Sequence, residues 1–324
     1  MFLRRSTALL ATLLFSCALL ANQLTPEQQI AKEKGIALYN QYKAMSAEPY
    51  LEVAAKAGDR EAQYYLGEAL RMNNRFMTEE AQKWFIAAAD QGDLYAMLRL
   101  SRSGSDLCSA MSNCPPDSKT AWDWLKQARE IGKTRADAGD SEAMYIMYLG
   151  TNDLEWLEKS ADAGYAPAQS LLANRYQEGK GFFFPPWKRS ERVEELAKKS
   201  AEGGDINGIM LYQQFLEGKK DIEIYWTKKA VALGSAEAVY AYGSGLAHIP
   251  KDYGYPLDLV KGYGFVYMLL ELDGGGGLKE YAEDILPDIA SQMTAKQIEQ
   301  AKAFAKEWKA THPPLSFFPP KLGF

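Results

Sequence analysis

The chain has 324 residues, of which 47 % are hydrophobic and 24 % charged, and its formal net charge is −5. These proportions are typical of a folded globular protein. The mild acidity, without any long basic run, argues against nucleic-acid binding.

Residues 1–21 have the pattern of an export signal, because a pair of arginines is followed by an apolar stretch over residues 8–15. That stretch is much too short to cross a bilayer as a helix.

Two processing routes remain open. The sequence around Cys17 is similar to a lipoprotein signal, which would place a lipid on this cysteine. Cleavage after Ala21 meets the small-residue requirement and is favoured slightly. Either route takes the chain out of the cytoplasm, and we expect membrane contact only if Cys17 is lipidated.

An N-terminal capping helix is predicted over residues 22–49, as a single helix that covers about 24–46. Thr25 is a good N-cap residue, Pro26 suits the first helical position, and Gln28 completes a capping box. We expect this helix to cover the open end of the repeats that follow.

Residues 50–273 contain several copies of one short sequence motif, in which a helix ends, a glycine follows and the next helix begins. Glycine suits the left-handed backbone just past a helix C-terminus, because it has no Cβ atom. The intervals between these glycines run from 25 to 47 residues, which is the period range of helical-hairpin solenoids. The repeat glycines are Gly58, Gly92, Gly139, Gly164, Gly204 and Gly234.

Bulky residues precede the repeat glycines at a fixed distance. Trp84, Trp156 and Trp226 each lie eight residues before one of them. Trp124 lies eight residues before Gly132, which is one heptad ahead of the next repeat glycine. We therefore expect the second helix of that hairpin to be longer by about two turns.

The segment from Trp84 to Gly92 resembles the second helix of a Sel1-like repeat, a relative of the tetratricopeptide repeat. Residues 62–67 resemble the first helix, and residues 179–181 are similar to the loop between the two. This resemblance covers about residues 50–273. It implies an all-α fold, namely a right-handed α-solenoid of Sel1-like helical hairpins with N- and C-terminal capping helices. Gly208 departs from the pattern, because the other units have alanine there.

Two cysteines lie six residues apart in a long predicted loop. In an oxidising compartment, Cys108 and Cys114 are expected to form a disulfide that closes this loop. Two free thiols are the alternative. A zinc site formed by the two cysteines is a weaker alternative, because no histidine lies nearby and two ligands do not make a structural site.

A second expanded loop, residues 179–189, is rich in aromatic residues. Phe182, Phe183, Phe184 and Trp187 are costly to leave in water. They are predicted either to fold back onto the solenoid or to form a contact surface for a protein partner, since exposed aromatic patches mark interfaces.

The C-terminal part is predicted to be a helical cap over residues 274–311. A capping box from Thr294 to Gln297 opens an amphipathic helix that runs to about Trp308. Residues 312–324 form an extended tail rich in proline and aromatic residues, because its prolines forbid a helix. We expect the tail to lie along the solenoid with Phe317 and Phe318 as anchors.

A solenoid of this kind presents a concave groove that suits a protein partner. By analogy with tetratricopeptide geometry, the groove residues are at positions two and six after the repeat alanine of each first helix. The tyrosines among them could instead be core residues of the repeat. The predicted partner-binding groove residues are Tyr64, Glu68, Arg102, Tyr145, Asn174, Gln214 and Tyr240, together with Leu98 and Met210.

No catalytic motif stands out in the sequence. The two histidines, His248 and His312, lie near prolines in predicted loops, and no nucleophile or second ligand accompanies either in a motif. There is no phosphate-binding loop, nucleophile elbow or HExxH sequence. We therefore expect no catalytic, cofactor or metal site, and a protein that is not an enzyme.

The export signal, the repeats and the tail together resemble exported Sel1-like immunity proteins of Gram-negative bacteria. That resemblance implies a periplasmic protein, soluble or anchored to the outer membrane, that neutralises a phospholipase effector of the type VI secretion system. Sel1-like lipoproteins that act as scaffolds or adaptors for polysaccharide export are the alternative, which a lipid on Cys17 would favour. An envelope hydrolase is a third and weaker one.

Overall fold

The computed structural model describes residues 24–251 and 254–317. The predicted export signal, Cys17 and Phe318 lie outside this part of the chain. Seventeen α-helices and no β-strand are present in it, apart from a single bridge between Ser235 and Ser316. The helices are α1 Pro26–Asn40, α2 Ala44–Lys56, α3 Arg60–Asn74, α4 Glu79–Asp90, α5 Leu94–Ser101, α6 Leu107–Ala110, α7 Ala121–Asp137, α8 Ser141–Thr151, α9 Leu154–Asp162, α10 Ala166–Gln177, α11 Lys188–Glu202, α12 Ile206–Gln213, α13 Lys220–Ala232, α14 Ala236–Leu246, α15 Leu259–Met268, α16 Leu278–Ala290 and α17 Ala295–Thr311.

The repeated glycines end helices as predicted, since all six have φ values between +82° and +92°. An N-cap residue follows each glycine directly, and in most units its side chain caps the N-terminus of the next helix. Asp59, Asp93, Asp140 and Asp205 each accept a hydrogen bond from the backbone N–H three residues later, at 2.7 to 3.0 Å. This pairing of glycine and aspartate turns the chain sharply between hairpins and satisfies exposed backbone donors.

The helices stack into an all-α solenoid in which the predicted tryptophans pack between neighbouring helices. Trp84 and Trp124 are buried in one core cluster, and Trp156 is partly buried against it, whereas Trp226 is buried in a separate cluster. The helix that carries Trp124, α7, has 17 residues, whereas α4 has 12 and α9 has nine. The additional length expected from the displaced tryptophan is therefore present.

The N-terminal region differs from the single capping helix that the sequence predicted. The capping box at Thr25 is present, but α1 ends at Asn40, and Tyr42 adopts a left-handed conformation with φ of 60°. The chain then reverses into α2, which packs against α1 and ends at the first repeat glycine. The solenoid therefore starts with a complete helical hairpin, and residue 49 lies inside its second helix.

The C-terminal region contains one helix more than the sequence analysis singled out. The helix α16 begins after Gly277, which has no side chain to cap it, and it contains Pro287. The helix α17 opens with the predicted Thr294–Gln297 capping box and continues to Thr311, three residues beyond the predicted end.

The two ends of the solenoid meet, because the tail crosses from the last repeats to the first hairpin. The Ser316 N–H donates to Gly234 O at 2.8 Å, and the Phe317 N–H donates to Asn40 O at 3.0 Å. Near this contact Lys43 Nζ lies 2.8 Å from a carboxylate oxygen of Asp273. The described part of the tail, residues 312–317, is extended along the solenoid, and it also closes the solenoid on itself.

The predicted disulfide is present, since Cys108 and Cys114 are bonded across a separation of six residues. Asp106 fixes the start of this loop to the α3–α4 turn. One of its carboxylate oxygens accepts hydrogen bonds from the backbone N–H groups of Met77 and Cys108, at 2.8 and 3.0 Å.

Replacing both cysteines by serine is expected to lower the free energy of unfolding by about 2 kcal/mol, because the bond restricts the unfolded chain over a short loop. Urea denaturation of the parent and of the Cys108→Ser/Cys114→Ser variant measures this difference. Dithiothreitol should weaken the parent to the same extent and leave the double variant unchanged. Equal stability of parent and variant would contradict the expectation.

Candidate partner-binding surfaces

A cavity of about 990 Å³ lies where the two ends of the solenoid meet. Its walls come from one face of α1, from the N-terminal parts of α3, α10 and α12, from the turns that precede α12 and α14, and from the tail. Most of these residues are apolar. The lining residues include Ile30, Ile36, Ala37, Tyr65, Pro167, Ile206, Leu233, Pro313, Pro314 and Leu315, with the polar residues Glu33, Lys34, Asn40, Glu61, Asp205 and Ser316.

The α1 wall of this cavity is an unpartnered helix face. Ile30, Glu33, Lys34 and Ala37 are three or four residues apart, so they lie along one side of the helix. The side chain of Ile30 is 65 % exposed although it is large and apolar. Leu233, at the opposite wall, is also exposed. The cavity is therefore open to a ligand, and it offers an apolar surface at its rim.

The charges around the cavity are mainly negative, with three carboxylates and one lysine. Glu61 is bound to a lysine of α1 at 2.9 Å, and Asp205 caps α12. Lys34 is tied back to α2, since its Nζ donates to the hydroxyl of Tyr50 at 2.7 Å. Asn40 Oδ1 is shielded from solvent and has no hydrogen-bond partner among the described residues. The cavity therefore suits an apolar ligand that carries a donor or a positive charge.

Three of the predicted groove residues, Tyr64, Glu68 and Leu98, are buried and do not lie on a surface. Tyr64 packs among other aromatic rings, 5.5 Å from Tyr65 and 6.1 Å from Tyr95. Glu68 is 0 % exposed and accepts hydrogen bonds from Arg71 and Arg99. Burial alone would lower the pKa of Arg99, but the charge of Glu68 raises it above its usual value. A partner could reach Tyr64 or Glu68 only if the helices separated, so the structure places both in the core.

The other predicted groove residues are scattered, and none of them lines the cavity. Arg102 is half-buried, and one guanidinium N–H donates to Leu149 O at 3.4 Å. Tyr145 is partly buried beside Tyr165, with ring centres 5.5 Å apart, and burial raises its pKa to about 12. Tyr240 packs against α16 through Tyr281, with ring centres 5.8 Å apart.

The remaining positions differ in exposure. Asn174 is partly buried, Leu98 is buried, and Gln214 and Met210 are exposed. The cavity instead takes residues near the N-terminal ends of the first helices, such as Pro167 and Ile206, and Tyr65 at the third position after the repeat alanine. The predicted positions two and six therefore do not form one continuous groove in this structure.

The aromatic loop, residues 179–189, projects three of its four aromatic side chains into solvent. Phe182 is 90 % exposed, Phe184 is 83 % exposed and Trp187 is 64 % exposed. Phe183 alone packs back, with its ring 4.8 Å from that of Tyr176. Of the two predicted arrangements, folding back onto the solenoid applies only to Phe183.

Arg189 holds the aromatic loop in place. Its guanidinium donates to the backbone oxygens of Tyr176, Lys180 and Gly181, at 2.8, 2.5 and 3.1 Å. It also lies 4.8 Å from the ring centre of Phe183. The exposed aromatic side chains are therefore carried by an anchored loop.

Both histidines have structural partners. The ring Nε2 of His248 lies 2.7 Å from Tyr255 O. His312 stacks on Trp308, with ring centres 3.6 Å apart. Within residues 24–251 and 254–317 no group of three or more His, Cys, Asp or Glu side chains is arranged to hold a metal ion. None of the helices in that part of the chain has the length and apolar character needed to span a bilayer.

Comparison with known proteins gives only distant likenesses. No family model matches the chain, and no curated protein sequence matches it. It is similar to the crystal structure of a protective antigen from uropathogenic Escherichia coli that displays an SLR fold. The identity is 18 % and the TM-score 0.46, over 89 % of this chain and 62 % of that one. It is also similar to a Sel1 repeat protein from Oxalobacter formigenes, with 20 % identity and a TM-score of 0.37, over 75 % of this chain and 96 % of that one. The chain thus spans less than two thirds of the length of the first structure.

Proposed function

We propose that this protein is a protein-binding module of the bacterial periplasm, and that it binds and blocks a phospholipase effector delivered by a type VI secretion system. The observation that carries the proposal is the open apolar cavity at the closure of the solenoid. It combines an unpartnered helix face, exposed Ile30 and Leu233, and a mainly acidic rim. The export signal predicted at residues 1–21 supports the compartment, and the resemblance to exported Sel1-like immunity proteins supports the class of partner.

The cavity has the properties of a binding site for a protein segment. Its apolar walls would release water when an apolar side chain enters, which favours binding by about 1.5–3 kcal/mol for a fully buried large side chain. The carboxylate of Glu33 favours a segment that also carries a lysine or arginine. Since the first hairpin, the middle repeats and the tail all contribute walls, the cavity is largely preformed, and less ordering is needed on binding.

The test uses a purified phospholipase effector of a type VI secretion system as the candidate partner. The Ile30→Lys/Leu233→Lys variant is expected to bind it about tenfold to a hundredfold more weakly than the parent, because two apolar contacts become charged. Calorimetric titration measures the affinity, and hydrolysis of phospholipid vesicles measures inhibition. Ile222→Lys, an exposed isoleucine on α13 away from the cavity, is the matched control.

Thermal melting of each variant must show an unchanged fold for this comparison to hold. If the cavity variant binds and inhibits as the parent does, the cavity is not the contact surface. If the parent binds the effector without reducing its activity, the envelope-scaffold function is favoured over the immunity function. Absence of any binding rejects this effector as the partner.

A further inference from the structure

We propose that the aromatic loop, residues 179–189, is a membrane-contacting element that places Phe182, Phe184 and Trp187 in the interface of an anionic lipid bilayer. This contact needs no lipid on Cys17, and it goes beyond the protein-binding function proposed for the cavity. The starting observation is that the three side chains are the most exposed aromatic group in the described loops, although an apolar surface on α10 lies within reach of the same loop.

The loop leaves these side chains in water at a real cost. Phe183 shows that the loop can bury an aromatic ring, because that ring packs against Tyr176. Phe182 and Phe184, on either side of it, point away from the solenoid and stay exposed. Moving a phenylalanine side chain out of water is favourable, because its apolar surface no longer has to be hydrated. A surface that accepts both rings and Trp187 at once would therefore gain substantial free energy.

The anchoring of the loop lowers the entropic cost of this contact. Arg189 donates to three backbone oxygens of the loop, and Phe183 is held between Arg189 and Tyr176. Pro185 and Pro186 restrict the backbone between Phe184 and Trp187. The aromatic side chains are thus presented together, without a flexible loop that must first be ordered.

The charge near the loop is opposite to that of the whole chain. The chain has a net charge of −5, but residues 179–189 contain three basic residues, Lys180, Lys188 and Arg189, and no acidic one. Basic residues close to an anionic membrane surface are attracted to it. The neighbouring Arg175 and Arg192 are paired with carboxylates and add little to this attraction.

The distribution of lysine and arginine favours a bilayer over a protein as the partner. The three arginines are engaged within the fold: Arg175 with Glu178, Arg189 with backbone oxygens, and Arg192 with Asp162 and Glu195. The residues that accompany the exposed aromatic rings are lysines, Lys180 and Lys188, and Lys188 Nζ lies 3.0 Å from a carboxylate oxygen of the exposed Glu191. Protein interfaces are depleted in lysine, whereas tryptophan with flanking lysine is typical of the membrane interface.

The experiment measures how tightly the protein binds to lipid vesicles. It uses the chain from Asn22 onward, which lacks Cys17 and still contains every described helix. One set contains phosphatidylcholine with phosphatidylglycerol in a three to one ratio, and the other contains phosphatidylcholine alone. Sedimentation is expected to show at least about tenfold stronger binding to the anionic vesicles. The emission of Trp187, obtained as the difference from a Trp187→Phe variant, should shift to shorter wavelength on binding.

Two variants separate the aromatic and the electrostatic contributions. Phe182→Ser/Phe184→Ser/Trp187→Ser should lose at least about tenfold in vesicle affinity, because the inserted surface is gone. Lys180→Glu/Lys188→Glu should lose the preference for anionic vesicles. Trp122→Ser is the matched control, because Trp122 is 62 % exposed on α7, outside the loop, and it should bind vesicles as the parent does.

Three results would overturn the proposal. The first is that the parent binds neither kind of vesicle. The second is that the triple serine variant binds vesicles as tightly as the parent. The third is that the Trp122→Ser control loses as much vesicle affinity as the triple serine variant. If the parent binds no vesicles and the serine variant loses effector binding in the calorimetric titration, the loop contacts a protein partner, which is one of the two arrangements that the sequence left open. The vesicle assay itself contains no effector, so its outcome is independent of the cavity test.

Discussion

Glu68→Ala is expected to lower the free energy of unfolding by about 3–5 kcal/mol, the largest loss among the substitutions considered. Glu68 is 0 % exposed, and its carboxylate binds both Arg71 and Arg99. Removing it leaves the largely buried guanidinium of Arg99 without its counter-charge, and an uncompensated buried charge costs more than the ion pair itself contributes. The effect is on folding, although the sequence pattern had assigned Glu68 to partner binding.

Urea denaturation followed by far-ultraviolet circular dichroism measures the loss. The matched control is Asp137→Ala, which removes an ion pair with Lys133 at 2.6 Å whose side chains are both more than half exposed. That change is expected to cost less than about 1 kcal/mol.

A second variant tests the cause of the Glu68 effect. Glu68→Met/Arg99→Met replaces both buried charges by apolar groups, and it should recover much of the stability that Glu68→Ala loses. A loss below about 1 kcal/mol for Glu68→Ala, or no recovery in the double variant, would show that the buried charge is not what the fold depends on.

Local features of this fold were predictable from the sequence, because their causes lie within a few residues. The tryptophan, the left-handed glycine eight residues later and the aspartate that caps the next helix all lie within the end of one helix and the turn that follows it. The displaced Trp124 therefore predicted the length of α7, and Thr25 and Thr294 predicted their capping boxes. The disulfide was predictable for the same reason, since its cysteines share one loop.

The burial of Tyr64 matches the alternative that the groove tyrosines are core residues of the repeat, but the burial of Glu68 was not predictable from the repeat pattern. The pattern gives the side of a helix on which a residue lies, but not which helix of another hairpin covers that side. Tyr64 meets Tyr95 of α5, and Glu68 binds Arg99 of α5, at a sequence separation of 31 residues. The sequence around a glutamate does not show whether it will be buried or exposed, because this depends on arginine partners that can come from another hairpin.

The cavity was missed because it depends on contacts between the two ends of the chain. Gln41 Nε2 donates to Leu315 O at 3.0 Å, across 274 residues. No periodic pattern encodes such a contact. The sequence did indicate that the tail is extended and that Phe317 anchors it, and Phe317 contacts Tyr42 with ring centres 4.9 Å apart. The turn at Tyr42, which splits the predicted capping helix, is what positions this end of the cavity.

Gly208→Ala is expected to destabilise the protein by about 1–3 kcal/mol or more, because the helices α11 and α12 leave no room for a Cβ atom. An ideal Cβ at this position would lie 2.2 Å from Ser200 Oγ, 2.5 Å from Ser200 Cβ and 2.8 Å from the backbone nitrogen of Ala201. The two Ser200 contacts are far below van der Waals distance, and the third involves backbone. The departure from alanine at this repeat position is therefore a packing requirement.

The matched control for Gly208→Ala is Gly104→Ala. Gly104 does not have a positive φ, and nothing lies within 4 Å of its ideal Cβ, so this change should leave stability nearly unchanged.

Ser200 Oγ lies 2.7 Å from Ala166 O and 3.0 Å from Asp205 Oδ2, so displacing Ser200 also disturbs the cap of α12. Adding Ser200→Gly to Gly208→Ala removes the closest clash and should restore part of the lost stability, as measured by urea denaturation. If Gly208→Ala is as stable as Gly104→Ala, the two helices can separate at little cost and the close approach is not required.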